Sequence, residues 1–270
     1  MGTKALLVGI AKYANPAHNL NGVENDVAAF LRILNKFNIT DIEILRDSNA
    51  TSDNIRKGLY NLVSDTRDGD VRIFYQSSHG YLLPPEMSNT DRDEALVPYE
   101  GTSSSLILDT WISQYLKTQL PKTVSFWGIY DACFSGDMYK DLIIDKDIIT
   151  ENSLEKELKT KDIIFDSSPS RLYSTNQPVV GLKNLILDDM IQNSFHFGAV
   201  QSDAKAAILN IDGLNRSVFT WALEQVLVPG MSISQLEKLV SEKQKQKTPD
   251  RIPQIACTDA NKNRIVFSGS

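Results

Sequence analysis

Strand and helix patterns alternate through the first half of this chain, and that alternation leaves few architectures open to it. Lys4 to Ala11 reads as a buried strand, and Gly22 to Phe37 sets Val23, Val27, Phe30, Leu31 and Leu34 along one helical face. Asp41 to Arg46 alternates as a second strand, Ser52 to Asp65 has a helical pattern, and Val71 to Gln76 is a third strand. A helix over Asp109 to Leu120 then leads into an apolar strand at Val124 to Tyr130. Such β-α-β-α-β order predicts a mostly parallel sheet with helices on both faces. In an open sheet of this kind ligands bind at the carboxyl edge of the strands.

Two of the strands end alike. Val71 to Tyr75 runs into Ser77-Ser78-His79-Gly80, and Val124 to Tyr130 into Asp131-Ala132-Cys133-Phe134-Ser135-Gly136, so each brings one reactive side chain to that edge. A lone free cysteine is most often a small buried hydrophobe. A core cysteine does not need a following Ser135-Gly136 turn, whereas a nucleophile must leave the strand and face a substrate. His79 and Cys133 are therefore the candidate catalytic pair, nucleophile and general acid-base. Gly80, lacking Cβ, lets a substrate approach the main chain closely. The other histidines read differently: His18 lies in the polar stretch Pro16-Ala17-His18-Asn19 and is expected at the surface, while His196, between Phe195 and Phe197, is expected to be structural. No reactive pattern surrounds Cys257.

A net charge of −6 disfavours a nucleic-acid partner, which needs concentrated Lys and Arg. With only two cysteines, neither a disulfide framework nor a zinc site is expected. Ala5 to Ile10 is too short to cross a membrane, no secretory signal is evident, and Leu6 breaks a myristoylation pattern. The expectation is a soluble protein of the reducing cytoplasm, neither membrane-bound nor anchored, of undetermined oligomeric state. Its 270 residues, 41% hydrophobic, suit one domain over 1–270. Patterning is weakest over 137–190, expected to be a flexible insertion or processing segment. Beyond it, a strand at Ser194 to Val200, helices at Val218 to Val228 and from Ser232 to about Gln246, and a last strand near Arg264 to Phe267 complete the reading.

The order and spacing of several blocks resemble the caspase-like cysteine peptidases, within them the metacaspase and bacterial orthocaspase branch. The blocks are Ala5-Leu6-Leu7-Val8-Gly9-Ile10, Leu20-Asn21-Gly22-Val23-Glu24-Asn25-Asp26-Val27, Ser77-Ser78-His79-Gly80, Asp93-Glu94-Ala95-Leu96-Val97-Pro98 and Asp131-Ala132-Cys133-Phe134-Ser135-Gly136. Phe219-Thr220-Trp221-Ala222-Leu223 and Ile252-Pro253-Gln254 follow, so the resemblance covers nearly the whole chain. His79 stands 54 positions before Cys133, which agrees with the caspase pattern of a histidine about 50 residues upstream of the cysteine.

The resemblance implies a three-layer α/β sandwich around a mostly parallel sheet, and a cysteine endopeptidase acting through a His79–Cys133 dyad. It implies an oxyanion site made by the main-chain N–H groups of Gly80 and Cys133. It also implies a first substrate pocket lined by Asp26, Ser77 and Asp131, whose two carboxylates favour an Arg or Lys side chain. The implied partner is a protein substrate with Arg or Lys before the cleaved bond. No Arg stands at the positions where a caspase cutting after Asp would need one. In some relatives calcium binds near the equivalents of Asp91, Asp93, Glu94 and Asp109, but Thr110 and Lys140 stand where further acids are expected. No cofactor is required on this reading, no metal site is assigned, and calcium dependence stays open. Bacterial members are linked to defence and regulated cell death, which is the pathway the resemblance suggests. Two alternatives remain: a peptide ligase or transpeptidase, in which an amine intercepts the acyl-enzyme, and a noncatalytic binding or scaffold module.

Overall fold

The structure, a computed structural model, describes residues 2–83, 93–132, 193–199 and 207–269. Numbered among these, the elements begin β1 (Thr3–Gly9), α1 (Val23–Lys36), β2 (Asp41–Arg46), α2 (Ser52–Val63) and β3 (Val71–Ser77). Short strands β4 (Gly80–Leu82), β5 (Glu94–Leu96) and β6 (Ile107–Leu108) lead to α3 (Asp109–Gln119) and β7 (Ser125–Asp131). The C-terminal part holds β8 (Ser194–Gly198), β9 (Ile208–Ile211), β10 (Leu214–Ser217), α4 (Val218–Val226), α5 (Ile233–Lys245) and β11 (Gln254–Ala256).

Six strands form the central sheet in the order β11-β8-β7-β3-β1-β2, every neighbouring pair parallel except β11 with β8. Because strand side chains alternate in direction, each inner strand serves two cores. Leu6, Val8, Phe74, Phe126 and Tyr130 face Ile55 and Leu59 of α2 and Ile112 and Leu116 of α3. Ala5, Leu7, Ile73, Tyr75, Trp127 and Ile129 face Phe30 of α1, Ala222 of α4 and Leu236 of α5. This is the three-layer α/β sandwich expected, and burial on both faces explains why these strands read as continuous apolar runs. Aromatic stacking fills the second core: Phe30 lies 4.1 Å from Tyr75 and Trp127 4.0 Å from Phe195, centroid to centroid.

Three features differ from the sequence reading. The final strand is β11, and the segment from Arg264 to Phe267 makes only an isolated bridge between Ile265 and Ser232. Phe267 turns with a φ of 57° and sets its ring against Phe37 and Trp127, so its apolar character serves burial rather than strand pairing. Second, a small sheet of β4, β5 and β6 and a hairpin of β9 and β10 stand beside the main sheet. Their strands of two to four residues are too short for a period to declare itself. The hairpin turns on Asp212-Gly213, both at positive φ (54° and 82°), a dipeptide that does carry a hairpin signal. Third, His18 is buried. The 3-10 turn Pro16–His18, capped by the Asn15 side chain, folds back so that the imidazole packs edge-on to Tyr13. The proposed processing segment at 137–190 lies outside the described residues.

Candidate active site

The parallel register brings the candidate residues together. Gly9, Ser77 and Asp131 are cross-strand neighbours at the carboxyl ends of β1, β3 and β7. Asp26 arrives from the first turn of α1. That helix starts from Gly22 at a φ of 107°, where a Cβ would come within 2.5 Å of the Asn215 carbonyl oxygen. A glycine is required both for the left-handed turn and for this approach of β10. The same approach carries Ser217, at the end of β10, between the two aspartates.

Ser217 ties the two carboxylates together. Its N–H donates to Asp26 at 2.8 Å and its hydroxyl to Asp131 at 2.7 Å. Asp26 also accepts from the Ser77 hydroxyl at 3.3 Å, and Asp131 from the Thr220 hydroxyl at 2.5 Å. Thr220 lies in the first turn of α4, whose N-terminus favours a negative charge. Both carboxylates are almost fully buried. Burial raises the pKa of Asp26, and repulsion from Asp131 raises it further; the Ser217 and Ser77 donors and the more distant Arg216 oppose the rise. Burial likewise raises Asp131 against its Thr220 and Ser217 hydrogen bonds. Arg216 is itself held by Glu224 at 2.5 Å, and among the described residues no cation pairs with either aspartate. The pair thus has hydrogen-bond donors but no counter-cation, and with its pKa raised to about 8 Asp26 keeps a proton at pH 7.

His79 follows β3 directly. Its Nε2 lies 2.8 Å from the His18 carbonyl oxygen, an orienting contact that the sequence reading of His18 as a surface residue missed. Burial pulls the His79 pKa below its ordinary value of 6.5, with the His18 carbonyl opposing, so the imidazole is neutral at pH 7. Tyr13 stands beside it with ring centroids 5.1 Å apart. The Gly80 main chain is also constrained. Val97 N–H donates to the His79 carbonyl and Leu83 N–H to the Asp93 carbonyl, so in the β4–β5 ladder Tyr81 takes the bonded position between them. Bonded and non-bonded residues alternate in an antiparallel ladder, which turns the Gly80 N–H away from β5. Cys133, two residues past the end of β7, lies outside the described residues.

Ser217, Thr220, Tyr13 and the His18 carbonyl join the candidate set from the structure alone. The first could have been found in sequence: Asp212-Gly213 marks a hairpin, and a Ser immediately before an apolar helix reads as its N-cap. Ser217 does cap α4, accepting from Phe219 N–H at 3.2 Å. Of the acids considered for calcium, Asp93, Glu94 and Asp109 are buried, Asp109 accepting from the N–H groups of Glu94 and Thr110. Asp91 lies outside the described residues, among which no group of three or more His, Cys, Asp or Glu side chains is arranged to hold a metal. His196 is buried and stacks on Tyr130, and burial lowers its pKa to about 3, consistent with a structural role. Burial pushes the Cys257 thiol up to about 11, which keeps it protonated and unreactive. No helix among the described residues is long and apolar enough to cross a membrane.

Solved structures with the same architecture include a caspase, caspase-1 of Spodoptera frugiperda, with a TM-score of 0.60 at 12% identity over 99% of this chain and 92% of that one. A protein from Geobacter sulfurreducens matches with a TM-score of 0.65 at 16% identity, over 100% of this chain and 99% of the other. The fold is therefore caspase-like. Residues 3–142 match the family described as "Metacaspase, peptidase C14 domain", and the chain belongs to that family. Metacaspase-5 of Trypanosoma brucei brucei is 28% identical over 94% of this chain and 50% of its own length. Metacaspase-9 of Arabidopsis thaliana is 36% identical over 50% of this chain and 43% of its own. The chain spans about half the length of these curated relatives or less.

Proposed function

We propose that this protein is a cysteine endopeptidase that cleaves polypeptides after Arg or Lys through a His79–Cys133 dyad. The observation that carries the specificity is the buried Asp26–Asp131 pair, whose hydrogen-bond partners among the described residues are all neutral donors. Held together by Ser217, the two carboxyl groups do not both ionise readily, Asp26 being raised to about 8, and an entering guanidinium or ammonium favours ionisation of both and satisfies both.

In the reaction the Cys133 thiol gives its proton to neutral His79, and the thiolate so formed attacks the carbonyl carbon, forming a C–S bond as the oxygen takes the negative charge. Gly80 N–H, turned away from β5, and the Cys133 N–H serve as its donors. The intermediate collapses with cleavage of the C–N bond, the amine leaving with a proton from His79. A water then gives a proton back to His79 and attacks the acyl-enzyme, releasing the carboxylic acid and the thiolate. The His18 carbonyl keeps the imidazole in place throughout.

The test is cleavage of a peptide library, run with and without a calcium chelator, by wild type, His79→Ala and Cys133→Ala. Cuts confined to Arg and Lys, and lost in both variants, are expected. Turnover surviving in either folded variant would remove the dyad, and cuts without basic preference would remove the pocket. Product masses separate the alternatives, since hydrolysis adds one water and ligation joins two peptides.

A further inference from the structure

Tyr13 occupies a place where a sheet hydrogen bond is missing. In the β4–β5 register His79 is opposite Val97, and Val97 N–H donates to the His79 carbonyl at 3.1 Å. A bonded pair in an antiparallel ladder exchanges two hydrogen bonds. The reciprocal bond, His79 N–H to the Val97 carbonyl, is not made. Instead His79 N–H donates to the Tyr13 hydroxyl at 2.9 Å, and that hydroxyl reaches the Val97 carbonyl at 3.5 Å. The phenol is wedged into the ladder as a bridging rung. Its ring meanwhile lies between two imidazoles, 5.1 Å from His79 and 6.5 Å from His18.

We propose that Tyr13 is a positioning residue for His79, its hydroxyl replacing the direct His79–Val97 rung and so fixing where the imidazole and the Gly80 N–H point. The inference rests on the reading of His79 as catalytic. Inserting an oxygen between the strands displaces the N–H side of His79 from the Val97 carbonyl, while the His79 carbonyl keeps its 3.1 Å bond from Val97 N–H. The imidazole projects from that displaced residue, and its far nitrogen can then meet the His18 carbonyl, which belongs to the turn Tyr13 itself packs against. Consecutive N–H groups on a strand point to opposite sides, so the hydroxyl that anchors His79 N–H also orients the neighbouring Gly80 N–H. The His79 carbonyl is held independently, by Val97 N–H and by the Ser78 hydroxyl at 2.9 Å, with Gln76 donating to Ser78. The N–H side therefore depends on Tyr13.

The experiment is Tyr13→Phe, assayed on a fluorogenic peptide with Arg before the cleaved bond. Phenylalanine keeps the ring and removes the rung, after which His79 N–H can bond directly to Val97. Sheet pairing then survives, but the imidazole shifts. The expected result is a fall in kcat of about 10- to 100-fold, the order that a misplacement near 1 Å produces, with KM changed by less than about threefold and thermal stability retained. A folded variant with kcat within about twofold of wild type overturns the proposal, as does a loss that appears only in KM. Should Tyr13→Phe fail to fold, the geometry is tested in wild type by NMR: a nuclear Overhauser contact between the Tyr13 hydroxyl proton and the His79 amide proton is expected, and its absence overturns the proposal. His79→Ala run alongside keeps the two readings apart. If it retains activity the dyad fails; if it is dead while Tyr13→Phe is fully active, only the role of Tyr13 fails.

Discussion

Asp26→Asn should make this protein more stable and, on basic substrates, much less active. Asparagine is isosteric, and its Oδ1 can accept the Ser217 N–H that Asp26 now accepts at 2.8 Å. Its Nδ2 would face Ser77 Oγ, at 3.3 Å from Asp26, which can rotate to accept. No hydrogen bond need be lost, and the repulsion with buried Asp131 disappears. The sign follows from linkage: folding raises the pKa of Asp26, so the folded state binds the proton more tightly, and stability declines as pH rises from the unfolded carboxylate value through the folded one. Asparagine ionises in neither state, so the substitution recovers the stability lost by pH 7 and does nothing in acid below the unfolded value, where Asp26 is protonated in both states. A gain of about 1–3 kcal/mol at pH 7 raises Tm by roughly 2–10 °C for a chain of this size. On a substrate with Arg before the cleaved bond, loss of one of two facing charges removes about 2–4 kcal/mol, or about 30- to 1000-fold in kcat/KM. A norleucine analogue should change by less than about threefold. Calorimetry at pH 5 and pH 7, with kinetics on both peptides, checks each part. A lower Tm at pH 7, or equal losses on the two peptides, would refute the reasoning.

The pH profile should depend on the substrate. Neutral His79, its pKa held below 6.5 by burial, should sustain cleavage of a norleucine peptide to below that pH, whereas cleavage after Arg should decline at higher pH, because the aspartates with raised pKa must first ionise. Coincident acid limbs for the two peptides would contradict the separation of roles. Self-cleavage is expected after basic residues within 137–190, among them Lys140, Lys146, Lys156, Lys159, Lys161, Arg171 and Lys183. Mass spectrometry of new termini in wild type and Cys133→Ala, incubated side by side, checks this, and equal cutting of both would assign it to a contaminating protease.

The sheet and its helices were legible because they obey two periods. Buried parallel strands such as Ala5 to Val8 and Phe126 to Tyr130 are apolar without a break, and α1 repeats its apolar residues at helical spacing. The site was legible where it hangs on strand ends: Ser77, His79 and Asp131 need only the register of β3 and β7 to become neighbours. Its remainder comes from segments that meet only in three dimensions. Nothing near Tyr13 in sequence announces that its hydroxyl enters a ladder 66 residues away. His18 acts through a carbonyl that every residue type carries, and its imidazole is buried by a turn whose polar composition suggested the opposite. Arg264 to Phe267 shows the converse error, an apolar segment taken for a strand although Phe267 fills a gap beside Phe37 and Trp127 from a turn.

The treatment of acids elsewhere in the chain sharpens the meaning of the Asp26–Asp131 pair. Asp70 is also buried, yet it accepts from the N–H groups of Gly2 and Arg67 and pairs with Arg72 at 3.0 Å; burial alone would raise its pKa, but these partners hold it low. Glu224 is held low against burial in the same way by Arg32 and Arg216. At Asp70 and Glu224, then, an arginine is set against the carboxylate. At the carboxyl edge of the sheet the Asp26–Asp131 pair instead meets the Ser217, Thr220 and Ser77 hydroxyls and main-chain N–H groups, which satisfy lone pairs without supplying a counter-charge. On the proposed reading this arrangement costs the empty protein stability and leaves the attraction to be completed by the basic side chain of the substrate. That is the trade of stability for binding expected of a recognition pocket, and Ser217, which joins Asp26 to Asp131 and caps α4, is the residue through which the chain holds the two carboxyl groups together.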